Sequence, residues 1–349
     1  ALCTSNLPAV AVVPSEHFNA AVYAGSGSSS SRDISVGFQP DWTWLKSRSS
    51  ADNNMLLDSV RGRAYFLKSN STAYDLATPA TFNSWNSDGF TLTGTSSAFN
   101  ASGNNYVAWN WKANGSGSSN TNGSITSTVS ANVDAGFSIV GWTNDGGTET
   151  IGHGLSSTPE MIIAKLRSGY VGNWAVYHKD LTDATDYVRL NTTAAEADAA
   201  VWNDTAPTSS VFSIGVPAEF GDDGNSNPMI AYCFHSVDGY SKVGSYTGNG
   251  NADGTFVYTG FRPMWIITKA TARAEGWRIR DTERDTDNPL NIHLEADTSG
   301  AEQTSAGVDI DILSNGFKLK SSDLGVNANN EKWIYMAFAE TPFKYSNAR

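Results

Sequence analysis

Trp333-Ile334-Tyr335-Met336-Ala337-Phe338 is apolar at every position, so both faces that alternate along an extended chain are hydrophobic. Such a run marks a central strand covered on both sides, not an edge. Two further runs have the same aromatic-rich character: Tyr106-Val107-Ala108-Trp109-Asn110-Trp111 and Met229-Ile230-Ala231-Tyr232-Cys233-Phe234. Working outward from each, the same landmarks recur in the same order. A Gly-rich turn motif comes first, as Val22-Tyr23-Ala24-Gly25-Ser26-Gly27, Gly141-Trp142-Thr143-Asn144-Asp145-Gly146 and Ser245-Tyr246-Thr247-Gly248-Asn249-Gly250. Gly, an apolar residue, a spacer and Pro follow, and each Pro opens a run that ends in Lys. Those runs are Pro40 to Lys46, Pro159 to Lys165 and Pro263 to Lys269. Asp88-Gly89-Phe90-Thr91-Leu92 then matches Ser314-Asn315-Gly316-Phe317-Lys318-Leu319, with Val211-Phe212-Ser213-Ile214 at the corresponding place in the middle. The Pro and the closing run lie 66, 70 and 70 positions apart. The chain therefore reads as an internal triplication.

Between these landmarks lie short β-branched and aromatic runs bounded by Gly, Asn, Asp and Ser, the pattern of strands joined by tight turns. Thr255-Phe256-Val257-Tyr258, Trp265-Ile266-Ile267 and Val308-Asp309-Ile310-Asp311-Ile312 are examples. Helical periodicity is nearly absent; only Ala194 to Ala200 could form a turn or two. The expected fold is all-β, with three tandem β-sandwich units of about 100 residues each. The expected boundaries are an N-terminal linker at 1–17, sandwiches at 18–114, 137–239 and 240–349, and a Gly/Ser/Asn/Thr-rich linker at 115–136. The short connection Ser236 to Lys242 predicts that the second and third units form a rigid pair, with the first hinged against them.

Of the 349 residues only 17% are charged, against about 25% in an ordinary globular protein. Ser, Thr, Asn and Gly take the place of charge. The net charge of −12 repels phosphate backbones and anionic lipid, so neither nucleic acid nor membrane is an expected partner. No stretch reaches the roughly 18 consecutive apolar residues of a membrane helix. Cys3 and Cys233 are read as unpaired thiols, with Cys233 packed as a small hydrophobe. The opening segment Ala1 to Pro8 lacks the basic and apolar regions of a signal peptide, and is expected to continue from preceding sequence.

Catalytic chemistry is not expected. His178 stands in Trp174 to Asp180 without a recognisable nucleophile or orienting acid, and its counterparts in the other copies are read as Ser59 and Asp281. Asp281, Glu283, Asp285 and Asp287 alternate on one loop and could offer oxygens to Ca²⁺, but interleaved Arg and the absence of a turning Gly favour an ion-paired loop. Asp222-Asp223-Gly224-Asn225-Ser226-Asn227 reads as a hairpin loop. No cofactor is expected, with Ca²⁺ the one ion considered. A glycosidase would need two carboxylates facing across a groove, roughly 5 to 10 Å apart, and no pair stands out. Trp42, Trp44, Trp174 and Trp277 recur at repeat positions and are assigned to core packing. Loop aromatics without counterparts are better candidates for recognition, and Tyr170 in Ser168-Gly169-Tyr170-Val171-Gly172 is the one selected.

Several motifs resemble the C-terminal repeat regions of phage tail and fibre-type virion proteins from marine and freshwater phages. They include Ser69-Asn70-Ser71-Thr72, Asp88-Gly89-Phe90, Thr126 to Asn132, Ala135 to Val140 and Ile151-Gly152-His153-Gly154-Leu155. Trp202-Asn203-Asp204-Thr205, Gly239 to Gly250 and Tyr335 to Glu340 extend the similarity over essentially the whole chain. In that family a SPRY-like β-domain often precedes a segment like Leu2 to Pro8. The resemblance implies jelly-roll, lectin-like sandwiches on a virion surface, other virion proteins as partners, and a homo-oligomer, a trimer first. It implies a non-enzymatic structural and adhesive role, touching a host-surface glycan or receptor, and carries over no catalytic residues. A polysaccharide depolymerase and a purely architectural capsid or filament decoration are the alternatives.

Overall fold

A computed structural model describes residues 12–77, 81–215, 226–305 and 307–340. The fold is all-β and antiparallel, three large sheets each faced by a small one. The first large sheet runs in the order Phe18–Ala24, Asn105–Trp111, Trp42–Ser47, Met55–Asp58, Tyr65–Lys68, Leu76–Ala77. The third repeats that order as Ser241–Thr247, Lys332–Ala339, Pro263–Ala270, Arg278–Asp281, Ile292–Glu295, Gln303–Thr304. In the second, Phe137–Thr143, Pro228–Phe234, Met161–Leu166, Ala175–His178, Asp186–Arg189 and Ala197–Asp198 follow the same order.

The second large sheet has two additional strands, Ser118–Asn120 and Ser127–Asn132, added beyond Phe137–Thr143. They come from the stretch expected to be a linker. Its composition looks flexible, but Val129 faces the apolar core, and ladder hydrogen bonds bind the rest. The Ala194 to Ala200 segment likewise forms no α-helix: Ala197–Asp198 is an edge strand and Ala200–Trp202 one turn of 3₁₀-helix. The one α-helical turn among the described residues is Leu324–Asn327, whose first turn is capped where Asp323 accepts the Gly325 N–H.

Small sheets cover the large ones: Arg32–Ser35, Gly89–Leu92 and Phe82–Asn86 on the first, Glu149–Gly152 and Val211–Ile214 on the second, Phe256–Tyr258, Gly316–Leu319 and Ile310–Leu313 on the third. Each pair encloses its own core, for example Ile34, Phe90 and Leu92 against Leu45, Leu57 and Ala108. The Gly-x-Gly motif has a local reason. Gly27 and Gly250 adopt φ of 59° and 64°, a region L side chains avoid. A buried Asn clamps each turn: Asn100 accepts the Ser26 N–H, and Asn327 accepts the Asn249 N–H. Asn100 thereby loses the exposure that its Asn-x-Ser sequon would need for glycosylation.

The other face of every large sheet turns inward to a fourth core shared by all three. Along Lys332–Ala339, Trp333, Tyr335 and Ala337 point to the local sandwich, while Ile334, Met336 and Phe338 point to the shared core. Along Pro228–Phe234 the split is Met229, Ala231 and Cys233 against Ile230, Tyr232 and Phe234. Aromatic contacts join every pair of sheets. Trp42 stacks on Tyr232 with centroids 4.3 Å apart, Trp111 meets Trp265 edge-on at 5.6 Å, and Phe234 meets Phe338 at 6.2 Å. The three sheet pairs close into a ring, so the first is not hinged against a rigid second and third.

Lys46, Lys165 and Lys269 lie on this inner face and are fully buried. Each ammonium reaches a carbonyl of the neighbouring sheet pair in the same rotational sense: Lys46 to Ser299 at 3.2 Å, Lys165 to Thr72 at 2.9 Å, Lys269 to Thr193 at 3.1 Å. A second carbonyl, of Ser47, Gly172 or Ala270, shares each head group. Three more contacts obey the same rotation. Asn54 donates to Glu295 O at 3.2 Å, the Trp174 indole to Lys68 O at 2.8 Å, and the Trp277 indole to Arg189 O at 2.8 Å.

Burial depresses the lysine pKa values, to about 8 for Lys46, about 7 for Lys165 and about 8 for Lys269. A base with a lowered folded pKa binds its proton less readily than the unfolded chain does, so stability rises with pH between the two values. Between pH 7 and about 9.5, below the ordinary tyrosine range, the urea midpoint is expected to increase, the three lowered lysines together contributing several kcal/mol in stability. Lys165→Met should flatten that rise; an unchanged slope would exclude Lys165 as its source. In the shared core, Trp42→Ala is expected to cost about 3–5 kcal/mol. Because all three sheet pairs lean on that core, calorimetry should show one lowered transition, not the loss of one among several.

Candidate recognition surface

The titratable groups singled out in the sequence are mostly consumed by structure. The register pairs Trp42 with Asp58, Met161 with His178 and Trp265 with Asp281. Asp58, not Ser59, is therefore the counterpart of His178 and Asp281. His178 is buried and both ring nitrogens meet backbone: Nδ1 accepts the Asp180 N–H at 3.1 Å, and Nε2 lies 3.3 Å from Tyr335 O. Burial pulls its pKa down to about 4, so the ring is neutral at pH 7.

Asp281 accepts hydrogen bonds from the Arg284 guanidinium at 2.6 Å and the Trp109 indole at 2.9 Å. Asp58 mirrors this with Arg61 and the Tyr232 hydroxyl. Asp285 accepts the Asn291 and Ile292 N–H groups at 2.8 and 3.0 Å. These carboxylates tie the loop of the supposed Ca²⁺ site to the protein itself. Among the described residues no three His, Cys, Asp or Glu side chains converge as a metal-ligand set. In the other acidic loop, Asp222, Asp223, Gly224 and Asn225 lie outside the described residues. Asp183, Asp186, Glu196 and Asp198 line one cleft, where burial and the neighbouring Glu196 carboxyl raise the Asp186 pKa to about 6. Cys233 is unpaired and buried, and burial raises its thiol pKa. Trp42, Trp44, Trp174 and Trp277 are all buried.

Tyr170 does present itself to solvent, 50% exposed beside Val171 at 64%. Its loop is anchored by Gly169, whose φ of +94° suits glycine, and by the Gly172 N–H donating to Thr72 O at 3.2 Å.

A larger aromatic surface escaped the sequence reading. In Phe256–Tyr258, an outer strand of the third small sheet, Val257 points into the core, so Phe256 and Tyr258 share the outward face. They are 44% and 64% exposed. Glycines leave both rings uncovered. Phe256 lies beside Gly316, where an added Cβ would meet the ring at 3.1 Å, and Tyr258 lies over Gly260, where it would meet the hydroxyl at 3.7 Å. Directly opposite Phe256, Lys318 forms an exposed ion pair with Asp253. By register the corresponding residues are Asp33 and Ser35 in the first small sheet, and Thr150 and Gly152 in the second. The aromatics thus meet the criterion that selected Tyr170: they have no counterparts. The signal was present in Thr255-Phe256-Val257-Tyr258, whose middle Val fixes the inward face, but the segment read only as a strand while the register of the three stretches was unknown.

The site so defined is an open aromatic platform with flanking charge on an all-β, sheet-on-sheet scaffold. Residues 13–342 match the family described as Domain of unknown function (DUF7483), and the chain belongs to that family. No curated protein matches it.

Proposed function

We propose that this protein is a non-enzymatic, adhesive component of a phage virion, a tail-fibre, spike or capsid-surface element whose sandwich modules contact glycans on the host surface. Phe256 and Tyr258 are the observation that carries the reading. Two uncovered rings on one strand face offer flat apolar area for the C–H faces of pyranose rings, and Lys318 and Asp253 offer hydrogen-bonding groups at their edge. Tyr170 is a second, separate contact. Loops rich in Ser, Thr and Asn suit sugar hydroxyls, and weak sites gain avidity when several are displayed on an oligomer. The likeness of the chain's motifs to phage tail and fibre repeats supports the virion placement. We further read the three sheet pairs as three copies of one lectin-like sandwich, in which the aromatic platform is confined to the third.

Glycan-array binding of the full chain tests the proposal. Binding to host-type surface glycans is expected, at least tenfold weakened by Phe256→Ala with Tyr258→Ala, and less affected by Tyr170→Ala. Both platform residues face solvent, so the double variant should retain the wild-type melting temperature. No binding by the wild-type protein to any host-type glycan would overturn the adhesive reading in favour of architectural decoration.

A further inference from the structure

Three quasi-equivalent junctions hold the ring of sheet pairs together, and two of them are ion-paired. At each junction the residue two positions beyond the buried Lys accepts a backbone N–H from an acidic residue of the neighbouring sheet pair. These bonds are Glu302 N–H to Arg48 O at 2.8 Å, Asp75 N–H to Arg167 O at 2.9 Å and Glu196 N–H to Thr271 O at 2.7 Å. The backbone is the same three times; the side chains are not.

Glu302 takes both oxygens to Arg48, at 2.8 Å each, and also meets Arg284 at 3.1 Å. Asp75 likewise meets Arg167 and Arg61, each at 2.9 Å. At both places one acidic side chain is held by two guanidinium groups, one from its own sheet pair and one from the neighbour.

At the third junction both cations are missing. Thr271 stands where Arg48 and Arg167 stand, and Leu181 stands three residues beyond His178, where Arg61 and Arg284 follow Asp58 and Asp281. Leu181 turns into the shared core instead. Beside Glu196 and Thr271 lies an open cleft of about 520 Å³. Among the described residues its walls carry Asp183, Asp186, Glu196 and Asp198 beside Thr182, Thr271 and two alanines, with no Lys or Arg. Of the described cations, Lys332 is directed to Asp180 O and Lys269 to Thr193 O.

We propose that this cleft is a guanidinium-binding site, which receives from outside the chain the arginine group that the other two junctions supply from within. The internal copies define the ligand. Glu302 and Asp75 are the positional equivalents of Glu196, and both are ligated by guanidinium, whose planar fork suits a carboxylate better than an ammonium does. The natural occupant is an arginine side chain of another protein chain, and the junction between the second and third sheet pairs is its docking point.

Thermal unfolding and isothermal calorimetry with N-acetyl-argininamide test this, with N-acetyl-lysinamide and CaCl₂ at matched ionic strength as controls. Saturable binding of the arginine probe with a rise in Tm is expected, with at least tenfold weaker binding in Glu196→Gln. Thr271→Arg should raise Tm without any ligand and abolish the probe's effect, because the tethered guanidinium occupies the cleft. No binding to the wild-type chain, an equal response to lysine or calcium, or undiminished binding in both variants would each overturn the proposal. A short arginine-containing peptide binding more tightly than the blocked amino acid would support a protein partner; equal binding would favour a free guanidinium ligand and overturn that part.

Discussion

Trp42 lies flat on Tyr232, with Phe137 and Phe234 around it, and Trp111 sits on the opposite side against Trp265 and Phe338. This aromatic cluster is where three sheets converge, and the architecture follows from it. A strand that feeds a local sandwich on one face and a common core on the other is apolar at nearly every position, as Tyr106–Trp111, Met229–Phe234 and Trp333–Phe338 are, with Asn110 the exception. The indole N–H groups of Trp42, Trp111 and Trp265 are buried without a hydrogen-bond acceptor. Packing area outweighs the unmet polar groups here.

Polar groups do enter the inner face, and six of them cross the seams in one rotational sense. Lys46, Lys165 and Lys269 each cross to a carbonyl of the neighbouring sheet pair, as do Asn54, Trp174 and Trp277. A buried ammonium without acceptors would be costly. Shared between two carbonyls, it fixes the rotation of one sheet against the next, which apolar packing alone leaves loosely specified. The ring is therefore held by non-directional aromatic contact at its centre and by directed hydrogen bonds near its seams.

Divergence among the three stretches is confined to places where this arrangement tolerates it. Core positions exchange one large apolar group for another, as Trp109, Tyr232 and Met336 do at one register position. Outward positions on the small sheets carry Asp33 and Ser35, Thr150 and Gly152, or Phe256 and Tyr258. Seam positions carry Arg48, Arg167 or Thr271. Solvent imposes no volume constraint on an outward side chain, so such positions can change without unfolding the ring. Features specific to one stretch accordingly mark where the chain differs in what it can bind.

How much of this was legible beforehand depended on whether a property is local. Alternation, turn residues and the recurring Pro-to-Lys runs are local, and they determined that the chain is all-β and which strands are central. Burial of Trp42, Trp44, Trp174 and Trp277 followed from their recurrence. The Gly/Ser/Asn/Thr-rich stretch misled because composition reports intrinsic flexibility, whereas strand formation at Ser118–Asn120 and Ser127–Asn132 is conferred by an adjacent sheet edge. Ser59 was matched in place of Asp58 because loop lengths differ between copies and only the ladder register aligns them. Phe256 and Tyr258 needed the same register before their outward direction had meaning. Most strands, and the recurrence of their landmarks, were legible in the residues themselves, since these depend on neighbours a few positions away. The tertiary structure alone decided that the three sheet pairs share one core, and that two seams carry guanidinium groups and the third an acidic cleft. Those facts depend on residues tens to hundreds of positions apart, brought together only when the ring closes.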